Sequence, residues 1–268
     1  MTSAERIAPN ITPMILTFDE AANIARTLDR LRWAKEVLIV DSGSADETLT
    51  IAKQYANVRV VGRPFDDAAS QCNFGLTQIS TRWVLSLDAD YVLSEALVAE
   101  IEALCEGEAA AYAASFVYCV YGKRLRGSLY PPRTILYRRD SAHYINEGHT
   151  QRVKIVGATG ALAAPVLHDD RKPLARWFAS QNRYAAREAE FLLASDAAGL
   201  KTTARLRRLG WPAPILSFFY TLFWKGCLLD GWAGWFYVMQ RATAEFMIAL
   251  AIADKRLARR VENKAEQS

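Results

Sequence analysis

The chain has 268 residues, 51% hydrophobic and 23% charged, a globular composition that excludes disordered and fibrous classes. Its 33 basic and 29 acidic residues leave a net charge of +4, too small an imbalance to support a nucleic-acid partner. Four cysteines, Cys72, Cys105, Cys119 and Cys227, lie far apart with no CxxC pair, which points to free thiols in a reducing compartment rather than to zinc or disulfides.

The first ten residues are polar and lack the apolar run of a signal peptide, so a cytoplasmic protein is expected. Residues 11–17 form a short apolar run, a predicted strand, followed by Phe18-Asp19-Glu20 and by a helical pattern over 21–31. Residues 37–40 are a second strand, cut off by Asp41-Ser42-Gly43-Ser44. Residues 45–55 then read as a helix with Ser44 as N-cap and Glu47 in its first turn. A third strand is expected over 58–61, a third helix over 67–79, and a fourth strand over 83–87 that ends in Asp88-Ala89-Asp90. Ser94 caps a helix over 95–105.

Apolar strands without alternation, separated by amphipathic helices, imply a parallel sheet covered on both faces. Open α/β sheets bind ligands at the carboxyl ends of their strands. Three of these four strand ends carry polar clusters, at 17–20, 41–44 and 88–90, and a site is expected there. Residues 110–167 change character and suggest mixed or antiparallel strands appended to the sheet. From Pro173 onward the chain reads as helix. The expected division is a catalytic domain over 1–200, with halves at about 11–105 and 106–200, followed by a helical region over 201–268.

These pieces, taken in order, resemble the donor half of an inverting glycosyltransferase of family 2 with the GT-A fold. The match rests on the strand ending at Thr17, on Ile39-Val40-Asp41-Ser42-Gly43-Ser44 with Asp46 and Thr48, on Asn73-Phe74-Gly75, and on residues 83–90. Within the family the chain is most similar to bacterial enzymes that glycosylate lipopolysaccharide core or other lipid-linked glycans. A sugar nucleotidyltransferase is the nearest enzyme alternative, but Thr17-Phe18-Asp19-Glu20 has no glycine-rich phosphate loop with a basic residue. A catalytically inactive scaffold of the same fold is the other.

A nucleotide-sugar carries a diphosphate leaving group whose charge a divalent cation offsets, and hard oxygen ligands suit Mg²⁺ or Mn²⁺. Asp88 and Asp90 leave a strand two residues apart, so both carboxylates can point to one side. The resemblance implies Asp90 as a direct metal ligand and Asp88 as a partner of the ribose or of the metal shell. Asp41 is placed to accept a hydrogen bond from a uracil N3–H; capping the next helix is its competing role. Thr17, Glu20 and Ser42 are carried over as nucleotide contacts. Asn73 and Gly75 match the family's helix that lines the donor pocket, and otherwise read as a polar helix residue and a packing glycine. Arg63, just past the third strand, can face the diphosphate or stand solvated.

Inverting transfer needs a base to deprotonate the acceptor hydroxyl and no covalent nucleophile. The related lipopolysaccharide enzymes present a His-Glu pair here, whereas this chain reads Asn146-Glu147-Gly148-His149-Thr150, so Glu147 in a polar loop is the candidate and His149 the alternative. His168 stands where a late histidine of the family completes the metal or diphosphate shell. Arg171, Lys172 and the helical face of Trp177, Gln181 and Tyr184 can close over the pyrophosphate or acceptor, or simply pack.

Residues 211–240 hold 10 of the chain's 29 aromatics, and Pro212, Pro214, Gly226, Gly231 and Gly234 are expected to break them into short helices. Basic residues flank them on both sides. Tryptophan and tyrosine beside basic clusters fit the headgroup level of an anionic membrane, and an aromatic hairpin packed on the protein is the alternative. The expectation is a peripheral enzyme at the inner face of the cell membrane, moving sugar from a UDP-sugar to a lipid-linked acceptor.

Overall fold

The computed structural model describes residues 5–147 and 150–265. They form two compact units, one built from the chain up to residue 124 with 130–172, the other from 125–129 with the chain from 173. The first unit contains β1 (Ile11–Thr17), α1 (Ile24–Asp29), β2 (Val37–Asp41), α2 (Thr48–Ala52), β3 (Val58–Gly62), α3 (Ala68–Thr77) and β4 (Trp83–Asp88). Next come β5 (Tyr91–Leu93), α4 (Glu95–Ala103), β6 (Ala109–Ala114), β7 (Phe116–Val120), β8 (Lys123–Arg124) and β9 (Arg133–Arg138). It ends with β10 (Ala142–Glu147), β11 (Thr150–Ile155), β12 (Ala158–Ala161) and β13 (Val166–His168).

Seven strands make one sheet in the order β12-β6-β9-β4-β1-β2-β3. β4, β1, β2 and β3 run parallel, and β9 is antiparallel to both of its neighbours. β5, β13, β7 and β8 form a second sheet, and β10 pairs with β11 as a hairpin. Successive side chains of β1, β2 and β4 enter opposite cores. Ile15, Ile39, Leu85 and Leu87 join one cluster, while Met14, Val40 and Val84 join the other with Cys72 and Leu76 of α3. The same alternation sends Ser86 and Asp88 to the α3 side. β2 and β3 lie on one flank of β1 and β4 on the other. The ends of β1, β2 and β4 therefore border the crevice where winding reverses.

α1 and α2 are shorter than the helical patterns over 21–31 and 45–55 suggest. Ser44 does not cap a helix: its hydroxyl donates to Asp41 and accepts from the Asp19 amide. Asp46 takes the Thr48 amide at 2.9 Å, so side chains hold backbone donors that a longer helix would use. β5 and β10 are strands that the sequence pattern did not single out. Asp67 and Ser94 do cap α3 and α4, accepting the amides of Ser70 and Leu97.

The second unit contains α5 (Leu174–Ala194), α6 (Thr202–Leu209), α7 (Pro212–Phe219) and α8 (Trp232–Ala265). Beyond 125–129 it takes in the chain from Pro173 rather than from near 200, because α5 shares a core of Ala189, Leu192, Leu200 and Ile252 with α8. Between α7 and α8 lie a π-helical turn over Tyr220–Trp224 and a 3-10 turn over Cys227–Asp230. Gly226 and Gly231, at φ of 73° and 61°, supply the left-handed breaks on either side of the second turn. Gly234 does not break the chain: it lies inside α8, where an added Cβ would stand 1.8 Å from the Cys227 carbonyl oxygen.

Candidate active site

The loops after β1 and β2 are stitched together by short polar side chains. Asp41 accepts from the Thr17 hydroxyl at 2.8 Å, the amides of Gly43 and Ser44 at 2.9 Å each, and the Ser44 hydroxyl. Burial alone would raise its pKa, but the bonds from Ser44, Thr17 and Gly43 outweigh it and hold Asp41 below the usual carboxylate range. A carboxylate has about four acceptor positions, and all are taken inside this loop. Asp41 and Thr17 thus shape the crevice from within. Ser42 donates its amide to the Thr17 carbonyl, and its hydroxyl accepts from Gln71 of α3. Asp19 holds a left-handed φ of 51° while its carboxylate takes the Ala45 amide at 2.7 Å.

At the end of β4 the two aspartates meet different neighbours. Asp88 lines a cavity of about 390 Å³ together with Ser86, Tyr91, Arg133, Tyr144 and Arg152. Burial and the adjacent Asp90 charge push its pKa up. Asp90 is only 8% exposed and contacts His168 Nε2 at 3.3 Å. Burial would raise Asp90 as well, but His168 beside it prevails and holds it low. Burial would lower His168, yet the Asp90 charge raises it. Tyr91, Tyr118 and Tyr130 surround the imidazole with ring centroids 4.7 to 5.3 Å away.

Asp90 Oδ1 and His168 Nδ1 are both buried without a hydrogen-bond partner. Such orphaned atoms call for a ligand, since an unpaired buried polar group is costly. Among the described residues no three His, Cys, Asp or Glu side chains converge into a closed metal cage. Mg²⁺-type sites at phosphates need only one or two carboxylates, with substrate oxygens and water completing the shell. Asp90 fits that donor set, and His168 Nδ1 offers a nitrogen donor beside it.

The cationic side chains expected at the diphosphate are held by acids. Lys172 Nζ donates to Glu20 at 2.7 Å, and Glu20 also accepts from Asn23. Burial would lower Lys172, but Glu20 and Asp170 raise it; burial raises Glu20 despite Lys172. Arg171 donates through Nε and Nη2 to Asp169, which Arg26 also grips at 2.8 Å. Glu20 and Lys172 therefore clamp residues 169–172 onto the β1–α1 loop, beside Asp90, whose carbonyl takes the Asp169 amide. Arg63 donates to Asp66 at 2.6 Å and lies over the Phe74 ring, and its Nη1 is buried without a partner. Trp177 lies on α5 of the second unit, packed against Phe178. Nothing in the sequence pattern marked Asn23, Arg26, Tyr130 or Arg133, whose partners lie far along the chain.

Asn73 is bonded to the hairpin. Its amide donates to the Tyr144 carbonyl and accepts the Tyr144 amide, each at 2.9 Å, which pins β10 to α3. Asn146 adds a second pin by donating to Asp67 at 2.9 Å, and Asp67 is drawn down to about 2, chiefly by Ser70. Gly75 is a packing glycine: a Cβ there would sit 2.5 Å from Met14 Sδ. Glu147 ends β10, opposite Thr150, and so belongs to a hairpin rather than to an open loop. His149 lies outside the described residues. Asn73→Ala should cost about 1–3 kcal/mol by stranding Tyr144's backbone groups, and should leave UDP affinity unchanged. Thermal unfolding and calorimetric titration check this; lost affinity at unchanged stability would return Asn73 to the nucleotide site.

Comparison with known proteins agrees with this architecture. The family described as glycosyl transferase family 2 matches residues 14–162, more than half of the chain. An uncharacterized glycosyltransferase of Rickettsia bellii is 37% identical over 100 residues, covering 37% of this chain and 34% of that protein. A lipopolysaccharide core biosynthesis glycosyltransferase of Rhizobium meliloti is 32% identical over 91 residues, covering 32% of this chain and 34% of that protein. The matches thus span about a third of the length of these relatives. A mannosyltransferase of Pyrobaculum calidifontis, solved with GDP-Man and Mn²⁺, superposes with a TM-score of 0.51 at 16% identity, over 95% of this chain and 89% of that one. With the family match over residues 14–162, a switch-point crevice and paired aspartates at the end of β4, the chain belongs to glycosyl transferase family 2 and has the GT-A fold.

Proposed function

We propose that the chain is an inverting glycosyltransferase that moves a sugar from a UDP-sugar to a lipid-linked or lipopolysaccharide-type acceptor at the cytoplasmic membrane face. The observation that carries this reading is the pair of unpartnered, buried atoms on Asp90 and His168 at the carboxyl end of β4. Those two residues would hold Mg²⁺ or Mn²⁺, whose contribution is to offset charge on the departing diphosphate. The Pyrobaculum protein's Mn²⁺ supports that choice, and the Rhizobium relative's name supports the acceptor class.

The chain's own groups divide the remaining work. Thr17, Asp41 and Ser42 shape the base and ribose end of the crevice, and Asp88 faces the cavity beside it. Arg63 Nη1 supplies a donor toward the diphosphate. The Glu20–Lys172 clamp keeps residues 169–172, and with them His168, against the site. Glu147, at the end of the hairpin pinned to α3, takes the proton of the attacking hydroxyl, and no residue forms a covalent bond with the sugar.

A panel of UDP-sugars with GDP-mannose as comparison, with and without Mn²⁺, tests this through nucleotide release in a membrane extract. Metal-dependent UDP release from one donor is the expected result. Release from the GDP-sugar alone overturns the UDP assignment. Failure of every donor, with no nucleotide binding, would leave a scaffold of this fold.

A further inference from the structure

α8 is the one helix among the described residues long and apolar enough to cross a membrane. Its two long faces differ sharply. Tyr237, Val238, Ala249 and Ile252 are buried on the inner face. Trp232, Met239, Phe246, Leu250, Leu257 and Val261 are all exposed. Their spacings of 7, 7, 4, 7 and 4 residues put them on one line along the helix. That line runs about 43 Å at 1.5 Å per residue. A second exposed aromatic group, Phe219 at the end of α7 with Phe223 and Trp224 in the turn after it, precedes α8, with Trp224 81% exposed.

Charge identifies the occupant. Residues 201–268 hold 11 Lys and Arg against 5 Asp and Glu, a net +6, whereas residues 1–200 carry −2 of the chain's +4. Exposed Arg256, Arg259 and Arg260 stand among the last residues of the apolar line. A second copy of the chain would bring one +6 segment against another. An anionic lipid surface attracts such a segment, and it accepts tryptophan at headgroup depth. We infer that the outer face of α8, with the aromatic turn before it, docks flat on an anionic lipid bilayer. This extends well beyond residues 211–240, the stretch whose composition alone suggested lipid.

The inner face argues against a transmembrane orientation. Glu245 is buried on α8 and takes Arg207 of α6 at 2.9 Å, and Arg207 also reaches Glu188 of α5. The Tyr237 hydroxyl accepts the Leu129 amide at 2.9 Å. Moving α8 across hydrocarbon would strand these charges, whereas lying on the surface leaves every one of these bonds in place.

This inference rests on the proposed reading for its acceptor, but its test uses no turnover. The full chain is sedimented with phosphatidylcholine vesicles, with and without phosphatidylglycerol, at low and high salt. Binding should be about tenfold or more tighter on the anionic vesicles and fall with salt, as basic residues near a charged surface predict. Met239→Glu with Leu250→Glu should reduce that binding at least about tenfold, with helicity and UDP affinity unchanged. Arg256→Glu with Arg260→Glu should remove most of the anionic preference. Three results overturn the proposal: no vesicle binding at low salt, a dimer that the Met239 and Leu250 changes dissociate without any vesicle binding, or retention in membranes through high salt and alkaline carbonate. Because UDP affinity is followed in parallel, a chain that binds lipid but no nucleotide would count against the enzymatic reading alone.

Discussion

Asp90→Ala is expected to abolish sugar transfer and metal-dependent UDP binding while the protein stays folded. Asp90 leaves β4 with one oxygen against His168 and the other unpartnered, so its side chain has few structural duties. The bond that does matter to the fold uses its carbonyl, which holds the Asp169 amide at 3.1 Å and survives the substitution. Loss of the carboxylate also removes the charge that helps push Asp88 upward, which eases crowding between the two acids. What disappears is the carboxylate that would hold the cation offsetting the diphosphate's developing charge, and losing one such preorganised contribution costs at least about 10²–10³-fold in turnover. Nucleotide release and calorimetric UDP titration with and without Mn²⁺ read the effect, and circular dichroism checks the fold. Transfer retained by the folded variant would take Asp90 out of the metal site.

β1, β2 and β4 were legible because burial on both faces makes them continuous apolar runs, and β1 to β4 lie within a residue of the patterns in the sequence. The same logic exposed the strand-end acids. It failed where polar side chains replace backbone bonds: Ser44, Asp46 and Thr48 look like a helix start, yet they tie the β1 and β2 loops together and leave α2 only Thr48–Ala52. Roles of single residues were least legible where the partner is remote. Glu20 reads as a nucleotide contact until Lys172 is found on it from 152 positions away, and Asn73 until Tyr144 is found 71 positions on. β10 was hidden because its buried face carries only Ala142 and Tyr144, and the Val153 and Ile155 that complete it belong to β11.

Glu147→Gln is expected to lower the rate of transfer by about 10²–10⁴-fold, the usual worth of a positioned base, with donor affinity unchanged. The amide keeps the size of the side chain and loses only its ability to take a proton. Position favours this residue. α3 holds β10 at two places, through Asn73 on Tyr144 and Asp67 on Asn146, the residue immediately before Glu147. Tyr144 in the same strand lines the cavity with Asp88, so the hairpin end is tethered to the strand end that carries the proposed donor site. His149 two residues later is the competitor, and the pH profile separates them. A base works only when deprotonated, so activity falls as pH drops through its pKa. That limb lies near about 4.3 for an ordinary glutamate and near about 6.5 for an ordinary histidine. His149→Ala should therefore retain most of its activity and the acid limb of the wild-type profile. A limb in the histidine range, abolished by His149→Ala while Glu147→Gln remains active, would transfer the role of base to His149.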